Sequence, residues 1–189
     1  MPAMRIRIDP AVAQANFTRF MDNPSLRESA QLLAAGKPPV EMIQALAMNP
    51  GVLRAFAGFA DVYPGGSLER SISEKVILRV SQLHECQFCV HSHLDMMSQL
   101  GIPSDLSPAA PHTARERAAI EYAELMTHDA NRVSDNVFAR LRDLFTEPEI
   151  VELTFLVGLI TMLNRFNNAL QIRYGQEYQE VQVAGSARS

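Results

Sequence analysis

With 189 residues, the chain suits one domain with its own core, with or without extensions. Hydrophobic residues make up 47% and charged residues 20%, which excludes a disordered chain, and a net charge of −4 argues against a nucleic-acid-binding face. Two cysteines three positions apart exclude a secreted disulfide scaffold, which spreads more cysteines along the chain.

The longest strongly apolar run, 153–163, falls well short of the roughly 20 residues that span a bilayer. The first eight residues carry charge but no apolar segment follows them, so no signal peptide is read. A cytoplasmic location is the default expectation, with no membrane and no nucleic acid among the partners.

In chain order the pattern predicts helices throughout. Residues 1–10 read as an extended arm, a helix follows over about 11–21, and Pro24 breaks it. The run 36–39 (Gly-Lys-Pro-Pro) is a loop, followed by a short helix to about Met48. Asn49 and Pro50 have the N-cap and first-turn chemistry of a new helix, which runs toward Val62 and stops at 64–66. A helix over about 68–84 comes next. On a wheel of about 100° per residue, Lys75, Arg79 and Gln82 share one face, while Glu74 falls between Ile77 and Leu78. A carboxylate on the apolar side is costly unless it is paired, so Glu74 is a candidate functional residue.

A further helix is predicted from about Cys86 to Leu100, closed by Gly101 and Pro103. Thr113 with Glu116, and Thr146 with Glu149, have the spacing of capping boxes. Ser134 can cap the helix that carries Val137, Phe138, Leu141 and Leu144. The segment 150–163 is apolar on nearly all sides, which predicts the central buried helix. The resulting division is an N-terminal extension over 1–39, a helical domain over 40–175 and a polar tail over 176–189.

The chemistry concentrates in the run 84–93, His-Glu-Cys-Gln-Phe-Cys-Val-His-Ser-His. On the wheel Cys86, His93, Met96, Met97 and Leu100 lie within about 80° of Cys89, and His91, Asp95 and Ser98 face the other way. Helical side chains lean toward the N-terminus, so the His93 imidazole reaches back toward Cys89. Both sulfurs sit in a first turn, where free N–H groups and the helix dipole favour an anion, and thiolate is the reactive form. An oxidised Cys89 attacked by Cys86 would close a local disulfide. Glu74 can accept a proton or orient His93. His84 and Phe88 are possible linings of the site. Met96 and Met97 are read as core fillers, and His91, His112 and His128 as surface residues. Asn164 and Arg165 are read as polar contacts across a subunit interface.

Glu74, Cys86, Cys89 and His93, with the surrounding run 74–93 and the later Asn164-Arg165-Phe166, resemble the alkylhydroperoxidase D-like members of the carboxymuconolactone decarboxylase superfamily. The similarity covers roughly 40–170. It implies an all-α helical bundle that assembles into trimers or hexamers, and an antioxidant peroxidase recharged by a lipoyl- or thioredoxin-like dithiol. It further implies that Cys89 is the peroxidatic cysteine, Cys86 the resolving one, and Glu74 with His93 the proton relay. Phe88 stands where founding members carry a second relay histidine.

Three alternatives stay open. A zinc site on Cys86, Cys89, His93 and Glu74 ranks behind the dithiol, because no second ligand pair completes it; no metal or other cofactor is expected. A lactone decarboxylase of the same superfamily would use acid–base residues without a cysteine pair. A non-catalytic redox-sensing or metal-binding oligomer is the third.

Overall fold

The computed structural model describes residues 4–60, 63 and 66–175. The expected polar tail at 176–189, and residues 64 and 65 of the expected stop at 64–66, lie outside these residues. Among the described residues there are nine α-helices and no strand: α1 (Pro10–Phe17), α2 (Arg27–Ala34), α3 (Glu41–Ala47), α4 (Pro50–Ala60), α5 (Arg70–Leu83), α6 (Gln87–Leu100), α7 (Ala114–Asp129), α8 (Asp135–Leu144) and α9 (Glu147–Leu170). None of these helices is long and apolar enough to cross a membrane.

The punctuation read from the sequence recurs in the helix ends. Asn49 Oδ1 accepts the Gly51 and Val52 N–H groups at 3.1 and 3.3 Å, so α4 starts where Pro50 fits. Thr113/Glu116 and Thr146/Glu149 form complete capping boxes on α7 and α9. Such a cap stabilises a helix by about 1 kcal/mol. Gly101 closes α6 at φ 66°, a left-handed conformation that glycine adopts without a Cβ clash. Ser134 stands at the N-cap of α8, but its side chain makes no capping hydrogen bond. Helix α2 was not anticipated. Its eight residues lie between Pro24 and Gly36, too short for a clear period, and it inserts only Ser29 and Ala30 into the interior.

Helix α5, not α9, is the central element. Every residue from Ile72 to Leu78 is buried, and α6, α7 and α9 pack around it. On the polar face of α5, Gln82 is exposed, Arg79 pairs with Glu124, and Lys75 is drawn inside by its partners. Lys75 is 3% exposed, and its ammonium donates to Glu116 Oε1 at 2.8 Å and approaches His112 Nδ1 at 3.2 Å. Burial pushes the Glu116 carboxyl up, but Lys75 and the Thr113 N–H outweigh this and hold it below its ordinary value. His112 is therefore a buried partner of Lys75, not a surface residue, whereas His91 and His128 are exposed as expected.

Helix α9 buries Leu153, Leu156, Val157 and Ile160 against α5 and α7, but Val151 and Met162 stay 67% and 47% exposed. Its all-round hydrophobicity is thus divided between a buried side and an exposed one. Asn164 does not reach a subunit interface. It is fully buried and exchanges hydrogen bonds with Ser81 of α5 at 3.2 and 3.4 Å, while Arg165 points outward. Met97 is buried, Met96 half-buried, and Leu100 is 49% exposed because α6 turns its last residue away from the core.

The chain ends converge on the redox segment. Residues Met4, Ile6 and Ile8 of the arm, Met42 and Ala45 of α3, and Ile172 and Tyr174 beyond α9 pack with Cys86, Phe88 and Cys89 in one apolar cluster. Arg5 N–H donates to the Leu170 carbonyl at 3.0 Å, pinning the arm along the end of α9. Residues that read as an extension thereby build a wall over the two cysteines. Helix α1 supports that wall by burying Ala13 and Phe17 against α3 and α4, at about 1.5–3 kcal/mol for a side chain the size of Phe17.

Candidate active site

The turn between α5 and α6 sets the position of the sulfurs. Glu85 adopts φ 53°, a left-handed conformation costing about 1–2 kcal/mol for a residue with a Cβ. The turn is closed by the Cys86 N–H, which donates to the Ser81 carbonyl at 3.0 Å, and by Asn168 Nδ2, which donates to the His84 carbonyl at 2.8 Å. Cys86 consequently sits at the N-cap of α6, one position outside the helix the sequence predicted to contain it. Its Sγ accepts the Cys89 N–H at 3.4 Å, using one of the unpaired donors of the first turn. Cys86 and Cys89 are joined as a disulfide with their Cα atoms 5.4 Å apart, and both are buried.

One turn further along α6, His93 meets Glu74 from the middle of α5. His93 Nδ1 lies 2.7 Å from Glu74 Oε2, and the carboxylate is fully buried. The other oxygen, Oε1, accepts a hydrogen bond from the Tyr63 hydroxyl and an ion pair from Arg70 at 2.8 Å. The Arg70 guanidinium also stacks on the Tyr63 ring, 4.1 Å from its centroid. Burial pushes the Glu74 carboxyl up, yet its hydrogen bond to His93, the His93 charge, Tyr63 and Arg70 together hold it below the ordinary glutamate value. Burial and the neighbouring carboxylate push the Tyr63 hydroxyl far up, so it stays a proton donor to Glu74. An anionic Glu74 is acceptor-only, so His93 carries its Nδ1 proton toward it and presents Nε2 for proton exchange. Between orienting His93 and accepting a proton, the two roles expected of Glu74, this environment favours the first.

Two expected linings lie apart. Phe88 is buried beside both sulfurs and meets the Tyr174 ring edge-on at 5.8 Å. His84 caps the end of α5 and is half-buried, with Nε2 covered and unpaired. Burial and the nearby Arg165 push its pKa down. Among the described residues, no three His, Cys, Asp or Glu side chains converge as a metal site.

Three residues of the site were not singled out from the sequence: Tyr63, Arg70 and Asn167. Arg70 stands four positions before Glu74, the spacing of a helical ion pair, so a signal for it existed. Tyr63 lies in a loop segment, and no periodicity points it at α5. Asn167 is 1% exposed on α9, and its Nδ2 donates to Cys89 Sγ at 3.3 Å and to Met42 Sδ at 3.5 Å.

Two cavities share Phe88 and Tyr174 as walls. One, of about 450 Å³, is walled by Met42, Ile43, Phe56, Phe88, Ser92 and Tyr174. The other, of about 460 Å³, is walled by Gln87, Phe88, His91, Asn167, Ile172 and Tyr174.

Residues 50–105, which carry α4 to α6 and with them Glu74, both cysteines and His93, match the model of the carboxymuconolactone decarboxylase family. The uncharacterized protein YdfG of Bacillus subtilis is 27% identical over 112 residues, covering 55% of this chain and 76% of that protein. The fold is similar to an uncharacterized peroxidase-related protein with an alkylhydroperoxidase AhpD core from Ralstonia eutropha (TM-score 0.75, 20% identity, 94% of this chain and 95% of that one). It is also similar to the debrominase Bmp8, solved in complex with 2,3,4-tribromopyrrole (TM-score 0.73, 15% identity, 93% and 95% covered). Residues 50–105 thus carry the pattern of the carboxymuconolactone decarboxylase family, and the chain has the all-α fold of the alkylhydroperoxidase D-like structures.

Proposed function

We propose that the protein is a dithiol peroxidase, in which Cys89 attacks hydroperoxides and Cys86 resolves the product. The observation that carries this reading is the disulfide at the start of α6, one turn from a histidine whose tautomer is fixed by a buried carboxylate. In the reduced protein the Cys89 thiolate attacks the terminal oxygen of ROOH. The O–O bond breaks, Cys89 becomes a sulfenic acid, and the departing RO⁻ takes the proton that His93 received from the thiol. Cys86 then displaces hydroxide from the Cys89 sulfur, forming the disulfide and, with the Cys86 proton, water. Two thiols and ROOH give a disulfide, ROH and H₂O. A lipoyl- or thioredoxin-like dithiol restores the thiols by exchange.

Phe88 removes the second relay histidine of founding family members, which leaves His93 as the one imidazole placed for proton transfer in this scheme. The same two electrons would also reduce a carbon–halogen bond, and the likeness to a debrominase favours that as the second reading. The acid–base decarboxylase alternative leaves the buried dithiol without a task. A homo-oligomer, trimer or hexamer, belongs to the proposal as well, since the exposed Val151 and Met162 of α9 supply apolar surface for a second copy to cover.

The test is steady-state consumption of tert-butyl hydroperoxide with dihydrolipoamide or reduced thioredoxin as the electron source. Turnover that saturates in both substrates is expected. Bromide release from a bromopyrrole without hydroperoxide consumption would replace the peroxidase reading with the second one.

A further inference from the structure

We infer that Asn167 is a catalytic residue, whose amide N–H stabilises the Cys89 thiolate and whose carbonyl holds the O–H of the incoming hydroperoxide. This inference rests on the peroxidase reading and adds a residue that neither the sequence pattern nor the Glu74–His93 pair supplies.

The orientation of the amide follows from its neighbours. Its nitrogen faces two sulfurs, Cys89 Sγ at 3.3 Å and Met42 Sδ at 3.5 Å. A disulfide or thioether sulfur can only accept, so the NH₂ group must point there and the oxygen away. That oxygen, Oδ1, is buried without a hydrogen-bond partner among the described residues. A buried amide carbonyl left unsatisfied costs about 1–3 kcal/mol, so the fold keeps a polar group at a penalty where leucine would fill the space. Asn167 also lines the cavity of about 460 Å³ beside Phe88 and Ile172, so a small molecule in that cavity lies against its side chain.

The chemistry uses both ends of the side chain. When the disulfide is reduced, the N–H that now meets a neutral sulfur meets a thiolate, and a hydrogen bond to the charged form favours that form. The terminal O–H of ROOH is not broken in the reaction. It passes intact from the hydroperoxide to the Cys89 sulfenic acid while the O–O bond breaks and RO⁻ leaves. One acceptor can therefore hold that O–H from substrate to product, and the vacant Asn167 carbonyl is such an acceptor. The residue thus aims the terminal oxygen at the sulfur it activates.

The test uses the full chain with Cys86→Ser, which leaves Cys89 as its one thiol, and adds Asn167→Leu or the nearly isosteric Asn167→Asp. The first readout is the rate of alkylation by iodoacetamide against pH. Both variants should move the midpoint of that profile upward by about one pH unit, a tenfold loss of thiolate below the midpoint. The second is oxidation by tert-butyl hydroperoxide, expressed per thiolate, which Asn167→Leu should slow about tenfold. If Asn167→Leu does not fold, Asn167→Asp alone decides the first readout. An unchanged alkylation profile in the folded variants overturns the donor role, and an unchanged rate per thiolate overturns the acceptor role. Failure of the Cys86→Ser parent itself to react with hydroperoxide, while it alkylates normally, overturns the peroxidase reading and the acceptor role with it, and the alkylation profile still judges the donor role.

Discussion

Replacing Cys89 with serine is expected to lower hydroperoxide turnover by on the order of a thousandfold or more, because the remaining thiol, Cys86, sits at the N-cap of α6 and not against Asn167. Replacing Cys86 should have a different consequence. The first oxidation still occurs, but the resolving sulfur is gone, so a sulfenic acid persists on Cys89 and can be trapped with dimedone. The two sulfurs are distinguishable in this structure. Cys86 sits at the N-cap with a backbone N–H as its donor, and Cys89 lies inside the helix, one turn from His93 and against Asn167. Mass spectrometry after a single addition of hydroperoxide separates the cases. An adduct on Cys86 in the Cys89→Ser protein, with turnover retained, would reverse the roles.

The second large effect is expected at Glu74. Three groups donate to its carboxylate: Tyr63, Arg70 and His93. Glu74→Gln keeps the size but removes the charge and turns one acceptor into a donor. At least one of the three partners then loses its acceptor, which costs about 2–3 kcal/mol when the group is buried and its partner was ionised. The same change frees the His93 ring to take either tautomer, so kcat should fall about a hundredfold. The pH dependence has a definite sign. The Glu74 carboxyl is held below its ordinary value in the folded state, so its contribution is complete at neutral pH. It is lost as the pH falls below the ordinary glutamate value and through the folded one. Urea denaturation of the parent and of Glu74→Gln should therefore give stabilities that differ most near neutrality and draw together as the pH falls below the ordinary glutamate value. A constant difference across that range would mean that Glu74 is not anionic in the fold.

Much of this was legible in the sequence because local rules decide it. The caps at Asn49, Thr113 and Thr146, the glycine stop at Gly101, and the inward side of Glu74 all follow from residues within a turn or two of each other. The shared face of Cys89 and His93 is equally local. The errors arose where pairing over long sequence separations decides the outcome. Lys75 shares one polar face with Arg79 and Gln82 in the sequence pattern, yet Glu116, 41 positions away, makes it a buried residue. His112 was read as a surface residue for the same reason. Helix α9 reads as the centre because it is apolar on most sides, but Val151, Phe155 and Met162 lie at the surface and α5 holds the centre. The site shows the same division. Glu74 and His93 were visible, while Tyr63 and Asn167 act from a loop and from a helix 78 positions beyond Cys89. No period or spacing could bring them in. Nor could it show that the arm at 4–8 and the segment 172–174 close over the cysteines, since those contacts form only when the two ends of the chain meet.

Whether two electrons pass from this dithiol to a hydroperoxide is read most directly from the intact mass of the fully reduced, metal-stripped protein before and after one equivalent of tert-butyl hydroperoxide. The expected result is the loss of two hydrogens, with Cys86 and Cys89 both blocked to alkylation and joined in one peptide. An unchanged mass with both thiols free would contradict it.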